Sequence, residues 1–206
     1  MNILQKNVSK IAYTALLLVL FAAGLLLAQY GPFSSNPNGN KATTGYGSLG
    51  GDFSLDSAQG KVHLKDFRGQ LVVMYFGFTS CPEVCPTALS SVAASMRNLE
   101  PEQAQQIQPL FISVDPARDT LENLAAYSAY FHPRMLGLTG PIEELDILVP
   151  KYGAYYRHIP LESSALGYTV DHTSRLYVID QEGKLVTTIA HGTSVEDMTL
   201  LFKQYL

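Results

Sequence analysis

The chain has few cysteines and no basic block, and each absence excludes a class of protein. Its 206 residues include only two cysteines. About 155 residues remain once the N-terminal apolar segment and the tether after it are set aside. They are enough for a substantial core without a framework of disulfide bonds. The formal net charge is −4, and lysine and arginine nowhere form a run or a stripe with aromatic residues. We therefore expect no nucleic-acid partner.

Charge is also missing from a long stretch near the N-terminus. Lys6 and Lys10 are followed by no charged residue until Lys41, and Ile11–Ala28 is almost purely apolar. About 18 apolar residues are the lower length for a membrane-spanning helix, and lysines on one side only place the N-terminus in the cytoplasm. A cleavable signal peptide is the alternative, although no clear cleavage site follows. No cysteine follows either, which excludes lipidation of a cysteine at that point.

This pattern predicts four segments along the chain. Residues 1–10 form a cytoplasmic N-terminus, 11–29 a transmembrane signal-anchor, 30–51 a flexible tether rich in Gly, Ser, Asn and Pro, and 52–206 a folded domain. The short basic N-terminus carries no long transit-peptide pattern. It therefore favours a single-pass protein of a bacterial inner membrane, with the folded domain in the periplasm.

The folded domain alternates strand and helix patterns. Predicted are a hairpin around 53–64, a buried strand at 71–78, a helix at 87–99, a strand at 109–114, a helix capped by Asp119 or Thr120, a short strand at 135–138, a helix opened by Pro141, a hairpin over 175–190 and a last helix from Ser194. This order predicts an α/β fold with a mixed central sheet and an added N-terminal hairpin. A cysteine pair directly after the first central strand is typical of the thioredoxin-like fold.

The two cysteines lie together at that strand-to-helix turn. Cys81 and Cys85 can form a redox-active disulfide, or they can chelate a thiophilic metal. Thioredoxin-like oxidoreductases usually have two residues between their cysteines, whereas this chain has three. On a helix this spacing puts the Cβ atoms roughly 5–6 Å apart, somewhat farther than a disulfide prefers. A purely structural disulfide is the weaker explanation, because so short a loop contributes only roughly 2 kcal/mol.

A metal site needs a third donor, and His172 is the best candidate among the histidines. It lies just before the strand predicted at 175–180, in a loop that faces the dithiol in a thioredoxin-like plan. A solvated loop histidine is the alternative, and Asp171 is a possible orienting partner. Two thiolates and one imidazole are a soft donor set that selects copper, with zinc the competitor. The remaining histidines are predicted not to be ligands: His63, His132, His158 and His191.

Four motifs, in order, resemble those of the Sco/SenC family. They are Ser80–Pro86 (SCPEVCP), Ser113–Thr120 (SVDPARDT), Phe131–Arg134 with the following Gly137–Gly140, and Val170–Thr173 (VDHT). The resemblance extends from about residue 50 to the C-terminus. It implies a thioredoxin-like domain anchored by one helix, with copper, as Cu(I) or Cu(II), bound by Cys81, Cys85 and His172. It also implies a role in assembling the dinuclear CuA centre of cytochrome c oxidase subunit II.

Two functions are compatible with these residues. The first is a membrane-anchored copper chaperone that receives copper from an upstream donor and delivers it to the oxidase subunit. The second is a thiol-disulfide oxidoreductase that reduces the cysteines of that subunit or of other exported proteins through Cys81 and Cys85. His172 discriminates between them, because only the chaperone requires a third ligand. A redox or copper sensor is a third possibility, for which the sequence shows no regulatory partner.

Overall fold

The computed structural model describes residues 46–162, 164 and 166–206, together with the isolated helical residues Leu16, Val19 and Phe21. The predicted membrane span at 11–29 and the tether up to residue 45 therefore lie almost wholly outside the described residues. Within the described parts of the chain, no helix is both long and apolar enough to cross a membrane. The chain divides into two units, residues 1–42 and 43–206, and the second contains the folded domain.

The described residues form nine strands, five α-helices and one short 3-10 helix. In chain order these are β1 Ser54–Ser57, β2 Gly60–His63, the 3-10 helix Leu64–Phe67, β3 Leu71–Gly77, α1 Val84–Arg97, α2 Pro101–Gln105, β4 Ile107–Ser113, α3 Leu121–Phe131, β5 Leu136–Leu138, α4 Ile142–Lys151, β6 Tyr156–Pro160, β7 Tyr168–His172, β8 Arg175–Ile179, β9 Leu185–Ala190 and α5 Val195–Tyr205.

Five strands form a mixed sheet in the order β5-β4-β3-β8-β9. β3, β4 and β5 are parallel to one another, β8 pairs antiparallel with β3, and β9 pairs antiparallel with β8. β3 and β4 are buried at every residue, as expected for central strands that are covered on both faces. β1 and β2 form a separate antiparallel hairpin. The predictions of a mixed central sheet and an added N-terminal hairpin are confirmed.

The helix after the cysteine pair begins earlier than the sequence predicts. It starts at Val84 rather than at Thr87, so that Cys85 lies in its first turn and Cys81 in the preceding loop. Pro86 is tolerated there because N–H groups in the first turn of a helix have no partner within the helix. The two cysteines are therefore not both helical, and the loop sets the position of Cys81.

The segment predicted as a loop around His172 is a hairpin. β6 and β7 pair antiparallel, with Tyr156 opposite His172, and they form a two-stranded sheet separate from the five-stranded one. β6 is mostly exposed. It therefore lacks the alternation of apolar and polar residues that indicates a half-buried strand. His172 is consequently the last residue of a strand and not a loop residue.

Part of the predicted tether contacts the domain. The N–H of Gly50 donates to the carbonyl oxygen of Lys151 at 2.7 Å, and the hydroxyls of Tyr46 and Thr188 lie 3.1 Å apart. Leu49 packs against the hydrophobic core. Residues 46–51 are therefore ordered against the body of the domain.

Candidate metal centre

The thiols are positioned by the end of β3 and the start of α1. The N–H of Cys81 donates to the carbonyl oxygen of Phe78 at 3.2 Å, which closes the turn after the strand. The N–H of Cys85 points at the sulfur of Cys81, with 3.4 Å between the atoms. The Cys81 sulfur thus lies at the N-terminal end of a helix, where backbone N–H groups favour a thiolate. Cys85 is completely buried, whereas 7% of Cys81 is exposed.

Gly77 leaves the space that the Cys85 sulfur occupies. The sequence patterns do not indicate Gly77 as a site residue. A Cβ atom at position 77 would lie 2.8 Å from the Cys85 sulfur and 2.8 Å from the Phe111 ring, closer than real Cβ atoms approach. Only glycine therefore allows this strand and this sulfur to meet. The available signal was a glycine at the end of an otherwise bulky apolar strand, a position that often marks close approach.

His172 reaches the thiols from the end of β7. Its Nε2 lies 3.4 Å from the Cys85 sulfur, and its Nδ1 lies 3.3 Å from the carbonyl oxygen of Thr173, the next residue in the chain. In a metal-bound state, a proton on Nδ1 would donate to that carbonyl and leave the Nε2 lone pair free for the ion. Tyr75 and Phe78 contact the ring edge-on, each with a centroid separation of 5.8 Å. These contacts fix the orientation of the His172 ring, with Nε2 facing the Cys85 sulfur, as a metal ligand requires.

The structure brings the three predicted ligands together. One donor atom from each of Cys81, Cys85 and His172 lies within 4.8 Å of the other two. Two sulfurs and a nitrogen that share one ion at bond lengths of about 2.0–2.3 Å would be roughly 3.5–4 Å apart. The observed group is thus close to the size that a thiophilic ion such as copper requires. Within the described residues, no fourth histidine, cysteine or carboxylate belongs to this group.

The two thiols differ in acidity. The pKa of Cys81 lies well below its usual range, first because the Cys85 thiol donates a hydrogen bond to it, and then because of His172 and backbone N–H groups. The same hydrogen bond, followed by burial, raises the pKa of Cys85. These opposite shifts favour one thiolate, on Cys81, and one thiol, on Cys85. Binding a metal ion to both sulfurs releases the second proton.

Two buried carboxylates of the SVDPARDT motif contact the segments that carry this group. Asp119 does not cap α3, because Thr120 does so by accepting from the N–H of Asn123. Its carboxylate instead accepts hydrogen bonds from Thr79 and Ser113. Asp115 is paired with Arg118. From the sequence this motif was predicted only as a turn and a helix cap, and the signal for a larger role was its pair of acidic residues directly after a buried strand.

The other candidate residues lie elsewhere. Asp171 does not orient the His172 ring, since its carboxylate accepts from the Tyr155 hydroxyl at 3.2 Å and is exposed. The four remaining histidines occupy separate positions outside the three-residue group: His63 ends β2, His132 follows α3, His158 lies on β6 and His191 follows β9. Of these four, His158 lies close to a carboxylate, with its Nε2 3.9 Å from an Asp115 oxygen.

Known proteins are similar to this chain in both sequence and fold. The cattle (Bos taurus) "Protein SCO2 homolog, mitochondrial" is 42% identical over 151 residues, which is 72% of this chain and 56% of that protein. Copper-bound Arabidopsis thaliana ScoI is 35% identical with a TM-score of 0.70, covering 76% of this chain and 97% of that one. Copper-bound yeast Sco1 is 34% identical with a TM-score of 0.67, covering 77% of this chain and 91% of that one.

The similarity covers most of this chain but only part of the curated relatives. The chain spans little more than half the length of the first curated relatives that it matches, 56% of the cattle protein and 62% of the mouse protein. The sequence model of one family, described as SCO1/SenC, matches residues 41–206, which include all three candidate ligands. The chain belongs to the SCO1/SenC family.

Proposed function

We propose that the protein is a membrane-anchored copper chaperone that delivers copper to the CuA centre of cytochrome c oxidase subunit II. The observation that carries this proposal is the soft three-donor group of Cys81, Cys85 and His172, with donor atoms within 4.8 Å of one another. Membership of the family supports it, as do the copper-bound structures of ScoI and Sco1. The oxidase subunit as partner follows from the family resemblance of the motifs.

The proposed location follows from the N-terminal sequence. Residues 11–29 anchor the chain in a bacterial inner membrane, with residues 1–10 in the cytoplasm. The tether predicted at 30–51, of which residues 46–51 pack on the domain, holds the domain in the periplasm. An anchored carrier meets a membrane-bound partner by diffusion in two dimensions. It also stays close to any upstream carrier that supplies Cu(I) from the periplasmic side.

The burial of the three ligands suits transfer rather than storage. Cys85 is completely buried, whereas Cys81 and His172 are each 7% exposed and form the accessible side of the group. A partner's own copper ligands can therefore reach the ion from the side of Cys81 and His172. A three-donor site leaves room for such an entering ligand, unlike the closed four-ligand site of a structural metal. Copper is thus the cargo of the protein.

The lowered pKa of Cys81 favours a second function, thiol-disulfide exchange. The Cys81 thiolate attacks a disulfide of the target and forms a mixed disulfide while one target thiolate leaves. The departing target thiolate takes the proton of Cys85, and the Cys85 thiolate then attacks the Cys81 sulfur and releases the second target thiolate. The target gains two electrons, and the domain ends as the Cys81–Cys85 disulfide, which an external dithiol must reduce. The same two residues serve both functions.

Removing the histidine separates the two functions. We expect the reduced full-length chain, kept in detergent, to bind one Cu(I), and His172→Ala to weaken binding by about tenfold or more, as loss of a metal-site group does. The dithiol–disulfide equilibrium of that variant should change little. Competition with a coloured Cu(I) chelator measures the affinity, with the exposed His191→Ala as the matched control. Equal affinity of His172→Ala and the parent would contradict the three-ligand site, and a parent that ignores copper would favour the oxidoreductase.

A further inference from the structure

The metal centre has a thiol half, Cys81 and Cys85, and a histidine half, His172 on the β6–β7 hairpin. Side-chain contacts fix the position of the histidine half. β6 and β7 share no backbone ladder with the five-stranded sheet. β7 continues through two residues into β8 at its His172 end, but its other end, at Tyr168, is held by side-chain contacts. The Tyr168 hydroxyl donates to Asp115 at 2.6 Å, and Asp115 is completely buried. Asp115 therefore ties the far end of the histidine hairpin to the end of β4.

Arg118 contacts both Asp115 and Tyr168 and so reinforces the link between them. Its guanidinium forms an ion pair with Asp115, donates to the carbonyl oxygen of Tyr168 at 2.9 Å and lies 3.8 Å from the centre of the Tyr168 ring. It also lies 5.9 Å from the centre of the Phe78 ring, which itself contacts His172. The Asp115–Arg118 pair thus spans from the hairpin to the residue on which the His172 ring packs.

The thiol half has its own buried carboxylate. Asp119, which is 2% exposed, accepts from the N–H of Thr79 at 3.0 Å and from the hydroxyls of Thr79 and Ser113. Thr79 lies two residues before Cys81, whereas Ser113 is the last residue of β4. Asp119 therefore joins the loop that carries Cys81 to the neighbouring central strand. A buried carboxylate is tolerated only because all of these donors converge on it.

We propose that Asp119 and Asp115 are the positioning residues of the metal centre, one for each half. Asp119 holds the Cys81 loop through Thr79, and Asp115 holds the hairpin of His172 through Tyr168 and Arg118. Both come from the one short segment that follows β4, so that a single turn sets the distance between the thiols and the imidazole. This inference rests on the proposed three-ligand site.

The two roles predict different losses in two measurements. Asp119→Asn keeps the size of the side chain but turns an amide toward hydrogen-bond donors, which frees the Cys81 loop. We expect it to weaken Cu(I) binding by about tenfold, and to shift the dithiol–disulfide equilibrium in a glutathione buffer toward the disulfide. Asp115→Asn should weaken Cu(I) binding by about tenfold as well, while leaving the dithiol–disulfide equilibrium unchanged.

The controls keep this test separate from folding and from the proposed function. Asp180→Asn removes a carboxylate that accepts N–H groups in the β8–β9 turn, remote from the metal centre, and should change neither measurement. Thr79→Val and Tyr168→Phe remove only the donating hydroxyls, so they serve where an aspartate variant fails to fold. Tyr168→Phe combined with Asp115→Asn should weaken copper binding no further than Asp115→Asn alone, because both remove one contact.

Each result then decides between positioning and general destabilisation. Loss of copper affinity in both aspartate variants, with a redox shift in Asp119→Asn only, supports the proposal. Equal redox shifts in both variants, or unchanged copper affinity in either while His172→Ala loses it, would overturn the assignment of one carboxylate to each half. Unchanged affinity in His172→Ala itself would instead overturn the three-ligand site on which the proposal rests.

Discussion

The two halves of the proposed metal centre, the thiols of Cys81 and Cys85 and the imidazole of His172, are built on different kinds of structure. The thiols sit between β3, which is buried at every residue, and the first turn of α1. His172 comes from a hairpin whose β6 strand is mostly exposed and whose backbone is not paired with the central sheet. The position of the sulfurs is therefore set by the backbone of the fold. The position of the imidazole is set by a few side-chain contacts.

This difference matters for the proposed function, because a copper chaperone must release its ion. Displacing Cys85 means disturbing the most deeply packed strands, which is costly because close-packed interiors do not yield locally. Displacing His172 leaves the backbone pairing of the central sheet intact, because the β6–β7 hairpin is not part of that sheet, although it strains the buried contact between Tyr168 and Asp115. We therefore expect the histidine to be the ligand that leaves first when a partner accepts copper.

The largest effect should come from overfilling the thiol half. Gly77→Ala places a methyl group 2.8 Å from the Cys85 sulfur and the Phe111 ring. We expect a loss of about 1–3 kcal/mol in the free energy of unfolding, because buried strands cannot move aside. Copper affinity should fall roughly 100-fold, since the sulfur itself is displaced. Chemical denaturation and chelator competition measure the two losses.

A glycine elsewhere provides the matched control for this variant. A Cβ atom at Gly47 would meet open space, with no other atom within 4 Å. Gly47→Ala should therefore leave both the stability and the copper affinity of the protein unchanged. A Gly77→Ala protein that also kept both properties would show that the thiol half is as adjustable as the histidine half.

The thiol half should keep its acidity without the histidine. The largest cause of the lowered pKa of Cys81 is the hydrogen bond from Cys85, and His172 contributes less. At about pH 6 an ordinary cysteine is almost entirely protonated. We expect iodoacetamide to modify Cys81 at least about tenfold faster than Cys85 at that pH, in both the parent and His172→Ala. Peptide mass spectrometry of the metal-free, reduced chain measures the ratio.

The pH dependence of the same reaction gives a second check. Because the Cys81 pKa is lowered, its thiolate is already formed near pH 6, and the rate should stay flat as the pH rises toward about 8. Cys85, whose pKa is raised, should remain unreactive over the same interval. A Cys81 rate that rises about tenfold per pH unit, as an unshifted thiol's does, or that collapses in His172→Ala, would show that the thiol half depends on the histidine for its chemistry.

The sequence alone predicted the parts of this comparison that depend on local pattern. The apolar runs of β3 and β4 and the Thr120 cap are local signals, and the structure confirms them. The three candidate ligands also follow from residue type and from their place in an α/β plan. The β6–β7 hairpin was missed, because its exposed residues lack the alternation by which a half-buried strand is recognised.

The residues that position the ligands could not be predicted in the same way. Gly77, Asp115 and Asp119 act through contacts with residues distant in the sequence, such as Tyr168 and Thr79. A motif shows that such residues are present, but only the packing of β4 against the loop and the hairpin shows what each one holds. Long-range side-chain contacts of this kind leave no periodicity in the sequence.

The smallest effect should come from the second contact of the hairpin with the body of the domain. Tyr156 lies opposite His172 in the β6–β7 register, and its hydroxyl donates to Asp146 of α4 at 2.6 Å. The bond is exposed, so Tyr156→Phe should cost about 1 kcal/mol or less in stability. Copper affinity should fall by roughly twofold, because the buried Asp115 contact still holds the hairpin.

The neighbouring tyrosine of the hairpin provides the matched control for Tyr156→Phe. The Tyr155 hydroxyl bonds within the hairpin to Asp171, so Tyr155→Phe should leave copper affinity unchanged in the same chelator competition. A loss in Tyr156→Phe as large as that in Asp115→Asn would mean that the exposed end positions His172. The contrast between buried and exposed anchors would then not hold, because a solvent-exposed hydrogen bond would be fixing the imidazole as firmly as a buried carboxylate does.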